Sequence, residues 1–490
     1  MVGRSRDFTN ALVVINFSFF YLKSGAYGIF WRYFASAQLC HKTIEAGDFD
    51  IISSHNSDSV SNRKNFSFGS IYVHLFWRLH NYLNMVFNIE KVYYTQIMVN
   101  GKTVYVGLSG GVDSAVSAAM LKNNGYDVTG VFIKAWTPFD EAQGKPLGPC
   151  IWKEDRRSAM RAAAVLDIPF VTLDLEKEYK KEVVDYMIAE YKAGRTPNPD
   201  VMCNKEIKFG AFLNWAKKNG ADYIATGHYA IRYENHTKDN ESKRKKLEGR
   251  HLPPLSKERS DEVRVRLFEG ADKNKDQSYF LWTLTQEQLK YVLFPVGHLQ
   301  KEEVRKLAKQ FGLPQATRKD SQGLCFLGQV DMKEFLSRYI KQKMGNVLNK
   351  KGETIGYHNG AAFFTIGERH GFTITKKNPN DKPLYVASKD IAKNTITVSK
   401  NIITREKSQR APLTLKSVNW ISGRFPQKKD LFCRLRYRQN KVKCKAQNEK
   451  GKIKVLLQEE NYLPAQAGIS PGQSLVFYNG EECLGGGIVQ

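Results

Sequence analysis

The 490-residue chain contains no C-x-x-C pair. Its seven cysteines, Cys40, Cys150, Cys203, Cys325, Cys433, Cys444 and Cys483, are scattered and odd in number. The missing pairs argue against a zinc ribbon, and the scatter argues against a disulfide framework. A reducing compartment is the expectation, with any special cysteine a catalytic thiol. Long apolar runs are also missing. Nothing approaches the roughly 20 apolar residues needed to span a membrane. The nearest run, residues 11–22, is interrupted by Asn16 and Ser18, and no clear small-residue cleavage site follows it. Acidic residues are absent between Asp7 and Glu45, which fits a transit peptide weakly and an unstructured extension equally well. Residues 1–100 lack a clear period or motif and receive no role.

What is present is positive charge. The net charge is +26, with 42% apolar and 25% charged residues. That composition is globular, and the surplus favours a polyanion, of which nucleic acid is the commonest. A basic protein with no such partner satisfies the charge alone equally well.

The pattern along the chain changes at Thr103. Val104 to Leu108 is a short apolar run, followed by Ser109-Gly110-Gly111-Val112-Asp113-Ser114 and then an alanine-rich helix start from Ala115. Strands are expected at residues 128–134, 170–175 and 223–226, and helices at 156–166, about 176–193 and 205–218. Strand and helix alternate, so the expected fold is α/β, a parallel sheet with helices on both faces. Ligands in such sheets sit beyond the carboxyl ends of the strands. Residues 235–262 form a charged insertion containing Pro253-Pro254, read as a solvated loop before an RNA contact. After about residue 330, short β-prone runs at 395–398, 413–418, 433–437, 452–457 and 474–478 imply a small linking domain and a terminal β-barrel. The expected domains are an extension over 1–100, a catalytic domain over 101–328, a linking domain over 329–402 and a barrel over 403–490.

The segment from Ser109 to Ser114 lies between a strand and a helix. Its glycines permit tight turns and close approach to an anion, and the helix N-terminus adds unpaired N–H groups. It has no lysine, so it is not the Gly-Lys-Ser/Thr phosphate loop. It resembles the pyrophosphate loop of enzymes that cleave ATP to AMP and pyrophosphate. Further along, Thr196-Pro197-Asn198-Pro199-Asp200-Val201-Met202-Cys203 is stiffened by two prolines, and Cys203 is expected at the opening of a helix. A thiol there has a lowered pKa, and Asp200 is placed to orient a base or move a proton. Taken alone, a helix cap and a small buried thiol explain both residues as well. Cys325 lies in Lys319-Asp320-Ser321-Gln322-Gly323-Leu324-Cys325-Phe326.

The loop and the two cysteine segments, in this order, resemble the tRNA-specific 2-thiouridylases. The resemblance also takes in Ala225-Thr226-Gly227-His228-Tyr229, Asn274 to Phe280, Phe294-Pro295-Val296-Gly297, Thr365-Ile366-Gly367, Arg436-Tyr437-Arg438-Gln439, Pro471-Gly472-Gln473 and Cys483 to Gly487. It runs from about residue 102 to the end. It implies ATP, with Mg²⁺ carried by the nucleotide near Asp113, on Gly107, Leu108, Ser109, Gly110, Gly111, Val112, Asp113, Ser114, Ile133 and Gly227. It implies a persulfide on Cys325, Cys203 as the nucleophile that forms a disulfide with Cys325, and the target base against Asn198, Pro199 and Asp200. Substrate tRNA is expected at His228, Lys275, Asp276, Gln277, Arg436, Tyr437 and Gln473. A sulfur carrier or cysteine desulfurase is the expected donor. Location in the cytoplasm is expected, or in an organelle if the extension is a transit peptide.

Glu368 stands where the family usually has glutamine, which puts one linking-domain contact in question. Two alternatives follow from the residues. An amide-forming synthetase shares the loop but needs neither Cys203 with Cys325 nor a basic barrel. A tRNA-binding protein without catalysis has no use for the intact loop, Asp200 and both cysteines.

Overall fold

A computed structural model describes residues 101–140, 145–146, 151–234, 264–319, 331–375, 382–400, 412–427, 431–458 and 470–490. Cys325, residues 1–100 and the 235–262 insertion lie outside the described residues.

The first sheet is all parallel. It contains β1 (Thr103–Gly107), β2 (Asp127–Lys134), β3 (Phe170–Asp174), β4 (Tyr223–Ala225) and, later in the chain, β7 (Val292–Leu293), in the order β3-β2-β1-β4-β7. Val104 and Val106 of β1 are fully buried, as a central parallel strand requires. Helix α1 (Val112–Asn123) packs on this sheet with nine of its side chains buried, and α2 (Ile151–Val165) begins five residues before the expected start. The run after β3 is helical over Glu176–Tyr179, Lys180–Asp185 and Tyr186–Lys192, its middle part wound as π-helix.

The helix carrying Cys203 departs from expectation. It starts at Pro199, not near 205: α3 (Pro199–Met202) runs directly into a π-helical stretch, Cys203–Phe212, and on through Leu213–Lys218. Proline is tolerated at the first helical position because its missing N–H would have no partner there.

A central sheet holds β8 (Gly345–Leu348), β9 (Thr354–His358), β10 (Phe372–Ile374), β11 (Tyr385–Asp390) and β12 (Thr395–Ser399), in the order β10-β9-β8-β12-β11. The terminal barrel is closed by β13 (Leu413–Trp420), β14 (Leu431–Arg434), β15 (Val442–Glu449), β16 (Lys452–Leu457), β17 (Ser474–Asn479) and β18 (Glu482–Val489), with β13 pairing to β18. The strand expected at 433–437 lies earlier and stops at Arg434, ahead of a turn in which Arg438 has φ +62°.

Sequence reading missed a hairpin. β5 (Ala230–Glu234) and β6 (Val265–Glu269) flank the charged insertion, and β6 joins the barrel sheet by pairing Phe268 with Glu482 and Leu267 with Cys483. Buried ion pairs fasten this join. Glu269, 2% exposed, meets Arg434 at 2.9 Å and Lys441 at 2.9 Å, and Arg266 pairs with Glu482 at 2.5 Å. Among the described residues no helix is long and apolar enough to cross a membrane.

Candidate active site

The loop between β1 and α1 is fixed from behind. Leu108 N donates to Val131 O at 2.8 Å, holding the loop to the end of β2. Gly110 has φ +82°, and a Cβ there would stand 2.4 Å from the Asp155 carbonyl oxygen. Only glycine fits such a position. The Gly110 carbonyl accepts from Ser158 Oγ at 2.9 Å and from Arg318 Nη1 at 2.8 Å, while Arg318 Nη2 reaches Asp155 Oδ1 at 2.5 Å. Ser109 Oγ and Ser114 Oγ lie 3.2 Å apart. The cap of α1 is Gly111, which offers no side chain to the first N–H groups. A helix start of this kind suits an anion. Gly227 packs against it: a Cβ there would lie 2.6 Å from Ser114 N and 2.8 Å from Asp113 C. Ile133, half-buried on β2, lies in register with Leu173.

Asp113 is engaged inside the protein. Lys301, the first residue of α4 (Lys301–Gln310), places Nζ 2.7 and 2.8 Å from its two oxygens, and Tyr229 OH donates to Oδ1 at 2.7 Å. Among the described residues no group of three or more His, Cys, Asp or Glu side chains could hold a metal ion. Both Asp113 oxygens are held by the Lys301 ammonium, a charge pair that braces the loop. Sequence reading missed Lys301 and Arg318, which lie just outside the segments Phe294 to Gly297 and Lys319 to Phe326.

Asn198 caps the Cys203 helix, its Oδ1 accepting from Val201 N at 3.2 Å. Asp200 sits in the first turn and Cys203 begins the second, so the thiol is one turn inside the helix and not at its opening. The dipole argument for a lowered thiol pKa therefore loses its geometric basis. Asp200 and Cys203, three residues apart, share a face. Cys203 is 5% exposed. Burial raises the Asp200 carboxyl above the usual range, with Lys208 acting the other way. Asn204 Nδ2 donates to Phe280 O at 3.1 Å, tying this helix to the 278–280 turn.

His228 follows Gly227 directly. Its Nδ1 is 2.8 Å from Thr226 Oγ1, and its ring packs 5.8 Å from Phe209 of the Cys203 helix and 6.1 Å from Phe294. Burial, assisted by Lys208, pushes its pKa well below 6.5. The imidazole is neutral at physiological pH.

The residues expected to meet tRNA separate into two groups. Asp276 is buried, and its oxygens accept from Gly270 N and Ser278 N at 3.0 Å each, from Ser278 Oγ at 3.0 Å and from Arg434 Nη1 at 2.6 Å. Gln277 accepts from Tyr229 N at 3.0 Å. These two build a corner behind Tyr229, and Lys275 belongs to its turn through its backbone N–H to Asp272 O. Arg436 and Tyr437 are half-buried at the barrel's edge, where the Tyr437 ring lies 4.5 Å from that of Phe280. Gln473 donates from Nε2 to the carbonyl of Thr196 at 2.8 Å. Glu368 accepts from Thr365 N at 3.0 Å and pairs with Lys333 at 2.7 Å, a charge partner that a glutamine would not supply.

Comparison with known proteins follows the same three parts. Residues 102–329 match the family model described as tRNA methyl transferase HUP domain, 333–400 the tRNA methyl transferase PRC-barrel domain, and 410–489 the aminomethyltransferase beta-barrel domain. The tRNA-specific 2-thiouridylase MnmA of Streptococcus thermophilus is 42% identical over 396 residues, covering 80% of this chain and 96% of that protein. The protein of the same name from Streptococcus mutans is 42% identical over 394 residues, with the same coverage. Among solved structures, NMN synthetase from Francisella tularensis is similar at 15% identity and a TM-score of 0.27, over 48% of this chain and 71% of that one, too slight a likeness to bear on the argument. The family-model descriptions speak of methyl transfer; the full-length relatives are named for sulfur.

Proposed function

The chain belongs to the family of tRNA-specific 2-thiouridylases, and on that premise we propose that its site exchanges the 2-oxygen of the wobble uridine in lysine, glutamate and glutamine tRNAs for sulfur. It is a transferase that makes 2-thiouridine in tRNA with the use of ATP. The observation that carries the detailed reading is the placement of Gly227 and His228. Gly227 lies against the first turn of α1, and His228 packs on Phe209 of the Cys203 helix, so adjacent residues join the loop to the helix that carries the thiol.

ATP supplies an adenylyl group that lets the poor oxygen leaving group depart as AMP. Residues 107–114, with Ile133 and Gly227, hold the nucleotide, and the uncapped start of α1 receives its phosphates. Mg²⁺ travels on the phosphates, with the Asp113–Lys301 pair nearby. The target base leaves its stack and rests against Asn198, Pro199 and Asp200. Cys325 carries the persulfide delivered by a sulfur carrier or cysteine desulfurase. The Cys203 thiolate attacks the inner sulfur, forming the Cys203–Cys325 disulfide and releasing hydrosulfide, which attacks C2 as AMP leaves. A reductant then restores both thiols. Asp200, kept protonated more readily by burial, stands on the face of Cys203 and moves the proton. Arg436 and Tyr437 meet the RNA, and the basic surface grips its phosphates. The scattered cysteines support a reducing compartment, the cytoplasm or the interior of an organelle.

The test is mass analysis of nucleosides after incubation with unmodified tRNA, ATP, Mg²⁺ and a persulfide donor, beside Cys203→Ser and Cys325→Ser. 2-Thiouridine should form with the parent and disappear with either variant. ATP cleavage to AMP without a thiolated nucleoside would retain the loop and overturn the substrate.

A further inference from the structure

The backbone just ahead of Asn198 has an unusual hydrogen-bonding need. Thr196 and Pro197 are buried, and Pro197 has no N–H to offer, so the segment cannot satisfy itself by joining a ladder. Its partners come from the barrel, at the turn between Ser470 and Gln473. Thr196 N donates to Pro471 O at 2.8 Å, and Gln473 Nε2 donates to Thr196 O at 2.8 Å and to Pro197 O at 3.4 Å. Gly472, at φ +95°, lies flat against the same peptide: a Cβ there would be 2.9 Å from Thr196 O and 3.0 Å from Thr196 N. The turn is itself anchored to the end of β18, with Gly472 N donating to Val489 O at 2.8 Å and Val489 N to Gln473 O at 2.9 Å. The central domain adds one contact, Thr196 Oγ1 to Thr365 Oγ1 at 3.3 Å.

We infer that Gln473 is a positioning residue for the sulfur transfer: through it the barrel holds the Thr196–Pro197 backbone, and so sets where Asn198, Asp200 and Cys203 stand. The barrel is then part of the catalytic scaffold as well as an RNA-binding surface. The inference deepens the proposed function and rests on it for the meaning of the reaction, while its geometric core stands on the hydrogen bonds alone. The family resemblance assigns Gln473 to tRNA contact, and the two roles predict different behaviour. A contact residue acts on RNA affinity. A positioning residue acts on turnover and on the exposure of Cys203 with no RNA present.

The experiment uses the full chain and the variants Gln473→Met, which keeps length and volume while removing the donor, and Gln473→Glu, which turns an acceptor toward two carbonyls. Three quantities are read: tRNA Kd by filter binding, kcat at saturating tRNA and ATP, and the rate of Cys203 alkylation by iodoacetamide, mapped by mass spectrometry in the absence of tRNA. The expected result is a Kd within about twofold of the parent, kcat lower by about tenfold or more, and faster alkylation of Cys203 in both variants. Hydrogen exchange at the Val201 N–H, which Asn198 caps, should quicken in parallel. A Kd raised about tenfold, with kcat, alkylation and exchange unchanged, would overturn the inference and leave Gln473 an RNA contact. Alkylation and exchange require neither tRNA nor ATP. A parent enzyme that formed no 2-thiouridine would therefore sink the proposed function while these two readings still decided the role of Gln473.

Discussion

Lys301 holds both carboxylate oxygens of Asp113, at 2.7 and 2.8 Å, and so joins the first turn of α4 to the first turn of α1. The pair sits under the proposed nucleotide loop. Lys301 is 8% exposed, so its charge has few alternatives to Asp113. Lys301→Met should cost about 2 kcal/mol or more, because it leaves a partly buried carboxylate without its cation. Urea denaturation checks this. Adding Asp113→Asn to the Lys301→Met variant should recover part of the loss, and simple additivity of the two single effects would contradict the coupling.

Gly227→Ala places a methyl group 2.6 Å from Ser114 N. The helix start must shift, and the proposed phosphate-binding N–H groups with it. The KM for ATP should rise by about tenfold, with tRNA affinity unchanged. Steady-state kinetics in ATP and filter binding of tRNA separate the two.

His228 and Asp200 give the pH dependence opposite signs. The folded pKa of His228 is depressed, so the unfolded chain binds the extra proton first; the stability contributed by neutral His228 is present above about pH 6.5 and is lost as pH falls from there toward the folded value. The folded pKa of Asp200 is raised, so its contribution is greatest in acid and is lost as pH rises from the usual carboxylate range through the folded value. Denaturation between pH 5 and 8 should show His228→Gln with a shallower loss in acid than the parent. Asp200→Asn should be more stable than the parent at neutral pH and inactive in thiolation. A parallel pH profile for His228→Gln and parent would refute the assignment.

Arg434 serves two buried carboxylates, Glu269 at 2.9 Å and Asp276 at 2.6 Å. Arg434→Met should cost about 3–5 kcal/mol, the size expected when a buried pair loses one partner. Because the two carboxylates lie in the catalytic part of the chain, the variant should also weaken the barrel's attachment. A single unfolding transition in the parent is expected to become two, visible as non-coincident fluorescence and circular dichroism curves.

The alternation of strand and helix was legible because buried parallel strands leave short apolar runs such as Val104 to Val106, and because the glycines at 110 and 111 mark the turn between β1 and α1. The Cys203 helix is expected near 205, later than its start at Pro199, because two prolines so close together look like a stiff connector. Asn198-Pro199 is in fact a cap followed by a first-position proline, and that pair was the available signal. Lys301, Arg318 and Lys208 were invisible for a different reason. Their partners lie far off in sequence or act through space, and lysine and arginine on helix-forming segments look like ordinary solvated charge. The burial of Asp276 and the use of Gln277 inside the fold likewise depend on β6 meeting the barrel, which a long charged insertion inside the hairpin conceals.

That hairpin also sets an order of events. β6 is made early, yet its partner in β18 is more than 200 residues further along, Phe268 against Glu482. During synthesis the edge of β6, with Glu269 beside it, must wait exposed until the last strand of the barrel emerges. Contacts so distant in sequence close slowly, and an uncovered strand edge invites pairing with other chains. The catalytic part of this protein should therefore depend on folding assistance while nascent, and truncations that remove β18 should aggregate through the β5–β6 hairpin.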